Sequence, residues 1–456
     1  MGQRMLIQNG CVLTMDPSLG NFASADVLIE DGIIAQVGPN IEVGAECAVV
    51  DAKGMIVIPG FVDTHRHVWE AVIRNAGADW TLPTYLNHLY FGGLGGTLRP
   101  QDVYIGNLLG ALEALDAGIT TLLDWSMINS PEHADEMVRG LQEAGIRAVF
   151  AYGTPLLNAG DFWHRESTLK QSDDCVRLKK QYFSSDDQLL TLGLAIRGPE
   201  FSSWEATVHD IELARELGAV CSMHVGFGSW GSADRSIERM NNAGLLGPDL
   251  NLVHVNSISD EEYKMIADTG ASVSVTPEVE MMMGHGYPLT GKLTKHGGRP
   301  TLGIDVVTST GGDMFAQMKF MIQAERSRIN ETVLRRGEMP ERLPLSARDV
   351  LEFATIDGAK ALQLGGKVGS LSLGKQADVV LIRATDINLS PVNDPIGAVV
   401  LSAHTGNVDS VFVAGKAVKR NGRLLDIDLD RIRSLASSSR DYIFSQYGVP
   451  DGAWPL

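Results

Sequence analysis

Two histidines one residue apart close the segment Pro59-Gly60-Phe61-Val62-Asp63-Thr64-His65-Arg66-His67, which follows the apolar run Met55-Ile56-Val57-Ile58. Such a run reads as a buried β-strand. Side chains two apart on a strand share a face, so His65 and His67 can aim two imidazoles the same way. Neutral imidazole nitrogens suit a divalent metal ion. A solvated pair at a strand end has the same local sequence, and only the rest of the chain can separate the two readings.

Further polar residues stand at equivalent places. Ala219-Val220-Cys221-Ser222-Met223 ends in His224, Leu250-Asn251-Leu252-Val253 ends in His254, and Thr301-Leu302-Gly303-Ile304 ends in Asp305. In a parallel barrel such strand ends meet on one rim, where active sites lie. A satisfied core polar group explains one of these positions; the repeated placement points to a metal site.

The elements that must position them alternate strand and helix, the pattern of βα units. Asp102 to Leu115 and Pro131 to Ala144 read as helices, each followed by an apolar run, Leu122-Leu123 and Ala148-Val149-Phe150-Ala151-Tyr152. Leu189 to Ile196 leads to Arg197-Gly198-Pro199-Glu200, and Ala206 to Glu216 is the helix before His224. Ser346-Ala347-Arg348-Asp349 reads as a capping box opening a helix to Leu364. Trp80 to Arg99 reads as a loop and short helix over the barrel mouth. The first ~55 residues and the last ~80 carry short strand-like runs split by turns, and neither end buries a core by itself.

The 456 residues hold a full barrel plus a smaller unit, and 44% hydrophobic with 21% charged residues is ordinary globular composition. A formal charge of −18 argues against nucleic acid or an anionic membrane surface as partner. Cys11, Cys47, Cys175 and Cys221 are scattered and form no CxxC pair, which fits a reducing cytoplasm. Neither a signal peptide nor a bilayer-spanning apolar run is legible.

The chain resembles the amidohydrolase superfamily, in particular its cytosine-deaminase-like and triazine-hydrolase-like branch. The resemblance rests on the His65-Arg66-His67 motif, Gly118-Ile119-Thr120-Thr121, His224, His254 and Gly303-Ile304-Asp305. Glu30-Asp31-Gly32-Ile33-Ile34 and Gly369-Ser370-Leu371-Ser372-Leu373-Gly374-Lys375-Gln376-Ala377-Asp378 extend it to both ends. It implies an α/β protein: a (β/α)8 TIM-type barrel over residues 59–367 and a small β-sandwich built from residues 1–58 and 368–456, with a C-terminal helix. It also implies a small-molecule substrate and a homo-oligomer, a dimer or larger.

By the same resemblance His65, His67, His224 and Asp305 bind one divalent metal, with zinc expected and iron or manganese as alternatives. Asp305 becomes the proton shuttle, and His254 either steers the reacting groups or serves as a fifth ligand. Binuclear relatives place a carbamylated lysine at the fourth strand end; Arg197 stands there and stays protonated, which favours one metal. Glu200 is either an added ligand or a helix-start carboxylate. Deaminases of this branch carry His-x-x-Glu after the fifth strand, whereas this chain has Phe227 as the fourth residue, and an aromatic ring transfers no proton. Glu70, Arg197, Glu278, Glu280 and His285 are candidate substrate contacts, and Glu70, Glu278 and Glu280 also candidate replacements for the missing glutamate. The resulting expectation is hydrolysis of a non-peptide C–N bond of amide, urea or carbamate type. The alternative is an aminohydrolase acting on an amidine-like carbon of a nucleobase, nucleoside or aminotriazine, and a more remote one is a barrel that only binds a ligand.

Overall fold

The computed structural model describes residues 4–454. Its apolar runs become the strands β1 (Phe61–Arg66), β2 (Ile119–Trp125), β3 (Arg147–Tyr152), β4 (Leu190–Ile196), β5 (Val220–Val225), β6 (Leu250–His254), β7 (Ser272–Val275) and β8 (Thr301–Leu302). They form one eight-stranded sheet in simple sequential order, parallel from β3 through β8. Every residue of β1, β2 and β3 is buried, as expected for a parallel sheet covered on both faces. The intervening helices begin and end where capping chemistry dictates. Ser130 accepts the His133 N–H to open Pro131–Ala144, and Gly145, at φ +71°, ends it. Ser259 and Glu262 form a capping box before Asp260–Thr269, and Gly270 at φ +76° closes that helix.

Two backbone hydrogen bonds join the last strand to the first: Asp305 N–H donates to His65 O, and His67 N–H to Asp305 O, each 2.9 Å. The ring is a TIM-type barrel. Its interior is polar near this seam. Thr64 Oγ1 lies 2.6 Å from Ser274 Oγ and 2.8 Å from Thr301 Oγ1, and Asn251 donates to Thr64 O at 2.9 Å.

The second β unit uses both parts of the chain, as expected, but as one mixed nine-stranded sheet. Arg4–Leu13 pairs with Asn21–Glu30, Ala48–Asp51 and Met55–Pro59, and Met55–Pro59 continues into Val379–Arg383 and Val408–Val413. Ile7, Val27, Val57, Leu381 and Phe412, from strands spread across the sheet, share one buried cluster. Chain contacts divide into two compact units: one holds the chain up to Asp63 with Glu113–Thr121 and Asp313–Ile427, the other Thr64–Leu112, Leu122–Gly312 and the chain from Asp428. The C-terminal helix Leu429–Tyr447 falls in the second of these units. Ser346 and Asp349 form the expected capping box. No helix among the described residues is long and apolar enough to cross a membrane.

A Cβ on Gly303 would meet His65 O and Ser274 Oγ, both at 2.9 Å. Gly303→Ala should therefore push β8 from β1 at the seam, costing about 1–3 kcal/mol of stability as overpacking, with lowered activity. Thermal unfolding and turnover of the variant check this; parental values for both would show slack at that contact.

Candidate active site

The seam that closes the barrel also assembles the polar cluster. Arg66, between the histidines, sends its guanidinium the other way, to Gly312 O at 3.1 Å. His65 Nε2 and His67 Nε2 lie 3.3 Å and 3.6 Å from Asp305 Oδ1. His224, from the end of β5, brings its Nε2 to 3.1 Å from His65 Nε2. The ligand atoms of His65, His67, His224 and Asp305 all lie within 4.8 Å of one another. His254 and Asp305 reach the cluster from backbone at φ +70° and +71°, with Val255 at +50°. Non-glycine residues in that region cost about 1–3 kcal/mol each and persist where the surroundings fix them. Here Val255 N–H is held by Val225 O at 3.2 Å, and Asp305 by the seam itself.

Burial removes the histidine charges. It pushes His67 down to about 3, with the neighbouring His65 adding to the effect, and lowers His65 and, strongly, His224. Burial opposes ionisation of Asp305 as well, but the hydrogen bond from His65 and the surrounding His65, His254 and His67 rings hold its carboxyl well below the usual range. Neutral imidazole nitrogens thus converge on one carboxylate, two of them facing each other at 3.1 Å. Lone pairs so placed repel unless a proton or cation lies between, and the set matches the nitrogen and oxygen donors a zinc-like ion takes. These residues could hold one metal ion.

His254 is oriented from behind. Its Nδ1 lies 3.2 Å from Glu280 Oε1 and 3.2 Å from Thr276 Oγ1, and its Nε2 lies 3.7 Å from Asp305 Oδ2. Glu280 Oε1 is itself fixed by Thr276 N–H at 3.0 Å. A carboxylate on Nδ1 sets the tautomer that turns the Nε2 lone pair toward Asp305. His254, His285 and Asp305 form a second group within 4.8 Å, sharing the aspartate.

The cluster opens into a cavity of about 300 Å³ lined by His67, His224, His254, His285 and Asp305. Tyr85, Tyr90, Trp163, Phe201, Phe227 and Trp230 supply aromatic walls, while Arg165 and Glu200 form a polar corner. Of the five expected substrate contacts only His285 lines it. Glu280 is spent on His254. Glu70 is buried behind Tyr85, accepting from Tyr85 Oη at 2.6 Å and Thr308 Oγ1 at 3.2 Å. Glu278 is half-buried outside the cavity. Arg197 turns away, donating to Phe162 O at 2.5 Å, Ser167 Oγ at 3.0 Å and Leu169 O. It pins the segment that carries Trp163 and Arg165. Those two residues lie in irregular chain where no periodicity announces them. Glu200 stood at a strand end like the histidines, and that placement was the available signal.

The sequence matches the amidohydrolase family model over residues 56–418. The chain belongs to the amidohydrolase family. It is 28% identical to 5′-deoxyadenosine deaminase of Methanosarcina acetivorans over 456 aligned residues, 97% of this chain and 99% of that protein. It is 27% identical to 5-methylthioadenosine/S-adenosylhomocysteine deaminase of Acetivibrio thermocellus, covering 94% of this chain and 97% of that one. Among solved structures, a zinc-bound adenosine deaminase of Xanthomonas campestris shares the fold at TM-score 0.84 and 23% identity, over 97% of this chain and 98% of its own. Zinc-bound atrazine chlorohydrolase of Arthrobacter aurescens shares it at TM-score 0.82 and 21% identity, over 96% and 100%. The amidohydrolase is a hydrolase of carbon–nitrogen bonds other than peptide bonds, and these relatives fit the aminohydrolase alternative better than the amide, urea or carbamate reading.

Because Arg197 serves backbone carbonyls, Arg197→Ala should lower the melting temperature of the amidohydrolase, since buried acceptors without donors cost about 1–3 kcal/mol each. Steady-state kinetics on the folded variant should show a KM within about threefold of the parent, the outcome for a residue that takes no part in the binding step. A large rise in KM with an unchanged melting temperature would return Arg197 to the substrate.

Proposed function

We propose that this amidohydrolase is an aminohydrolase that removes an exocyclic amino group, as ammonia, from the amidine-like carbon of an adenine nucleoside. The observation that carries this reading is the convergence of His65, His67, His224 and Asp305 at the floor of an aromatic-walled cavity. The whole-length similarity to two nucleoside deaminases supports the choice of bond.

His65, His67, His224 and Asp305 would hold one zinc ion. When bound, zinc supplies Lewis acidity that lets a water ionise near neutral pH. Asp305 Oδ1 faces the histidines, which leaves Oδ2, supported by the Thr276 hydroxyl at 3.3 Å, to receive the proton lost by the attacking water. The same oxygen returns it to the departing amino nitrogen. His254, locked by Glu280 and Thr276, stands across from Oδ2 and stabilises charge that develops on the attacked carbon's oxygen. Trp163, Phe201, Phe227 and Trp230 stack on a flat heterocycle and exclude water. Arg197 neither carries a carbamate nor faces the cluster, which favours a single ion.

Metal analysis of the purified protein should approach one ion per chain, and His67→Ala should lose both metal and activity. Two tightly held ions would bring the His254–His285–Asp305 group in as a second site. The reaction itself is tested by ammonia release from adenosine, 5′-deoxyadenosine and 5′-methylthioadenosine, run beside amine release from anilides and substituted ureas. Asp305→Asn serves as the control: its amide oxygen can still coordinate but accepts no proton, so turnover should fall on the order of 10²-fold or more. Fast cleavage of anilides or ureas with negligible ammonia release from nucleosides would overturn the aminohydrolase reading.

A further inference from the structure

Deamination needs more than an attacking water. As the water adds to the amidine carbon, the adjacent ring nitrogen must gain a proton, or negative charge accumulates there. Phe227 cannot provide one. It lies against His285 with ring centroids 5.7 Å apart and against Phe201 at 6.1 Å. The three glutamates weighed as replacements are accounted for: Glu70 and Glu280 are held by other side chains, and Glu278 lies outside the cavity.

We propose that Glu200, on the neighbouring strand end, is the catalytic proton donor to the ring nitrogen of the substrate. This role rests on the aminohydrolase reading above. β4 and β5 run side by side with Ile196 opposite Met223, so the chain leaving β4 passes the turn that follows His224. Glu200 Oε1 accepts the Gly226 N–H at 2.9 Å, one residue before Phe227. The carboxyl group therefore reaches, from the adjacent strand, the turn that would have carried the missing glutamate. It lines the cavity, is 3% exposed, and its Oε2 makes no well-formed hydrogen bond. Its neighbour Phe201 forms the wall beside Phe227.

The surroundings suit a donor. Burial pushes the Glu200 carboxyl up to about 7, against the Gly226 N–H and the Ser236 hydroxyl. Asp234 raises it further and Arg165 opposes, but these two are engaged with each other as an ion pair. His224, on the strand before the same turn, stays neutral. Near neutral pH a substantial share of the enzyme thus carries the proton.

The step balances. Hydroxide adds to the amidine carbon, its lost proton resting on Asp305, while the Glu200 proton moves to the ring nitrogen. The carbon–amino bond then breaks, ammonia leaves with the proton from Asp305, and the new hydroxyl returns its proton to Glu200 as the carbonyl forms. Nucleoside and water become the oxo-nucleoside and ammonia.

Glu200→Gln keeps the shape and removes the exchangeable proton. With 5′-deoxyadenosine as the probe, kcat should fall on the order of 10²-fold or more with KM within a few fold and metal content unchanged. A donor works protonated, so parental kcat should decline as pH rises through about 7, and that limb should vanish in the variant. The parent-minus-variant infrared difference spectrum, in which the contributions of Glu70 and Asp124 cancel, should show a protonated-carboxyl band that fades across the same pH range. A variant with parental kcat and the same basic limb, or a difference spectrum without that band, would overturn the role. If the parent deaminates no nucleoside, the underlying reading falls with it; if the parent deaminates and the variant matches it, only Glu200 is displaced.

Discussion

Everything in this molecule that bears on chemistry depends on the pair of backbone hydrogen bonds between Asp305 and the His65/His67 strand. They are the last rungs of a parallel ladder, and each is an ordinary amide–carbonyl contact at 2.9 Å. Their position makes them decisive. They close the barrel, and they place a carboxylate from the end of the chain's eighth strand within about a hydrogen-bond length of two imidazoles from its first. The left-handed backbone at His254, Val255 and Asp305 is tolerable for the same reason, since ladder bonds on either side leave those residues no cheaper conformation. Gly303 is small where a Cβ would meet His65 O at 2.9 Å, and the site geometry follows from that approach.

Electrostatics then separates the roles of groups that look alike in the sequence. Five carboxylates lie at or near the rim, each with a different set of neighbours. Asp305 is surrounded by imidazoles and stays ionised despite burial. Glu70 is kept by a phenol and a hydroxyl in a dry pocket and is pushed well upward. Glu280 faces one imidazole and one amide and works as a brace. Glu278 is outside, and Glu200 combines burial with a single amide contact. Distinct protonation states within one rim are what acid–base chemistry at neutral pH requires.

Much of this was legible in the sequence, and for a physical reason. The two-residue repeat of a strand makes His65 and His67 co-facial whatever the remainder does, and polar residues closing apolar runs at His224, His254 and Asp305 mark the same rim. The start of the helix after Ser346 followed from its capping box with Asp349. What escaped depends on directions set by distant chain. Arg197 and Glu200 are three residues apart on one exit loop, and Phe162 O, Ser167 Oγ and Leu169 O hold the first of them outward. The pairing of Glu280 with His254 joins two strand ends across a turn of helix. Trp163 and Arg165 belong to irregular chain. The sandwich form of the second unit rests on the family resemblance, because a pattern of short alternating strands does not fix how they are layered.

His65, His67, His224 and Asp305, which could hold a metal, sit on strand ends fixed by the ladder, whereas the cavity walls come chiefly from the connecting segments. Exchanges in the connectors would reshape the pocket without disturbing the geometry of the histidine–aspartate cluster, so the two can change independently of each other. The turn at Phe227 shows how close the connectors of neighbouring strands come, since Glu200, leaving one strand, accepts the Gly226 N–H of the next at 2.9 Å.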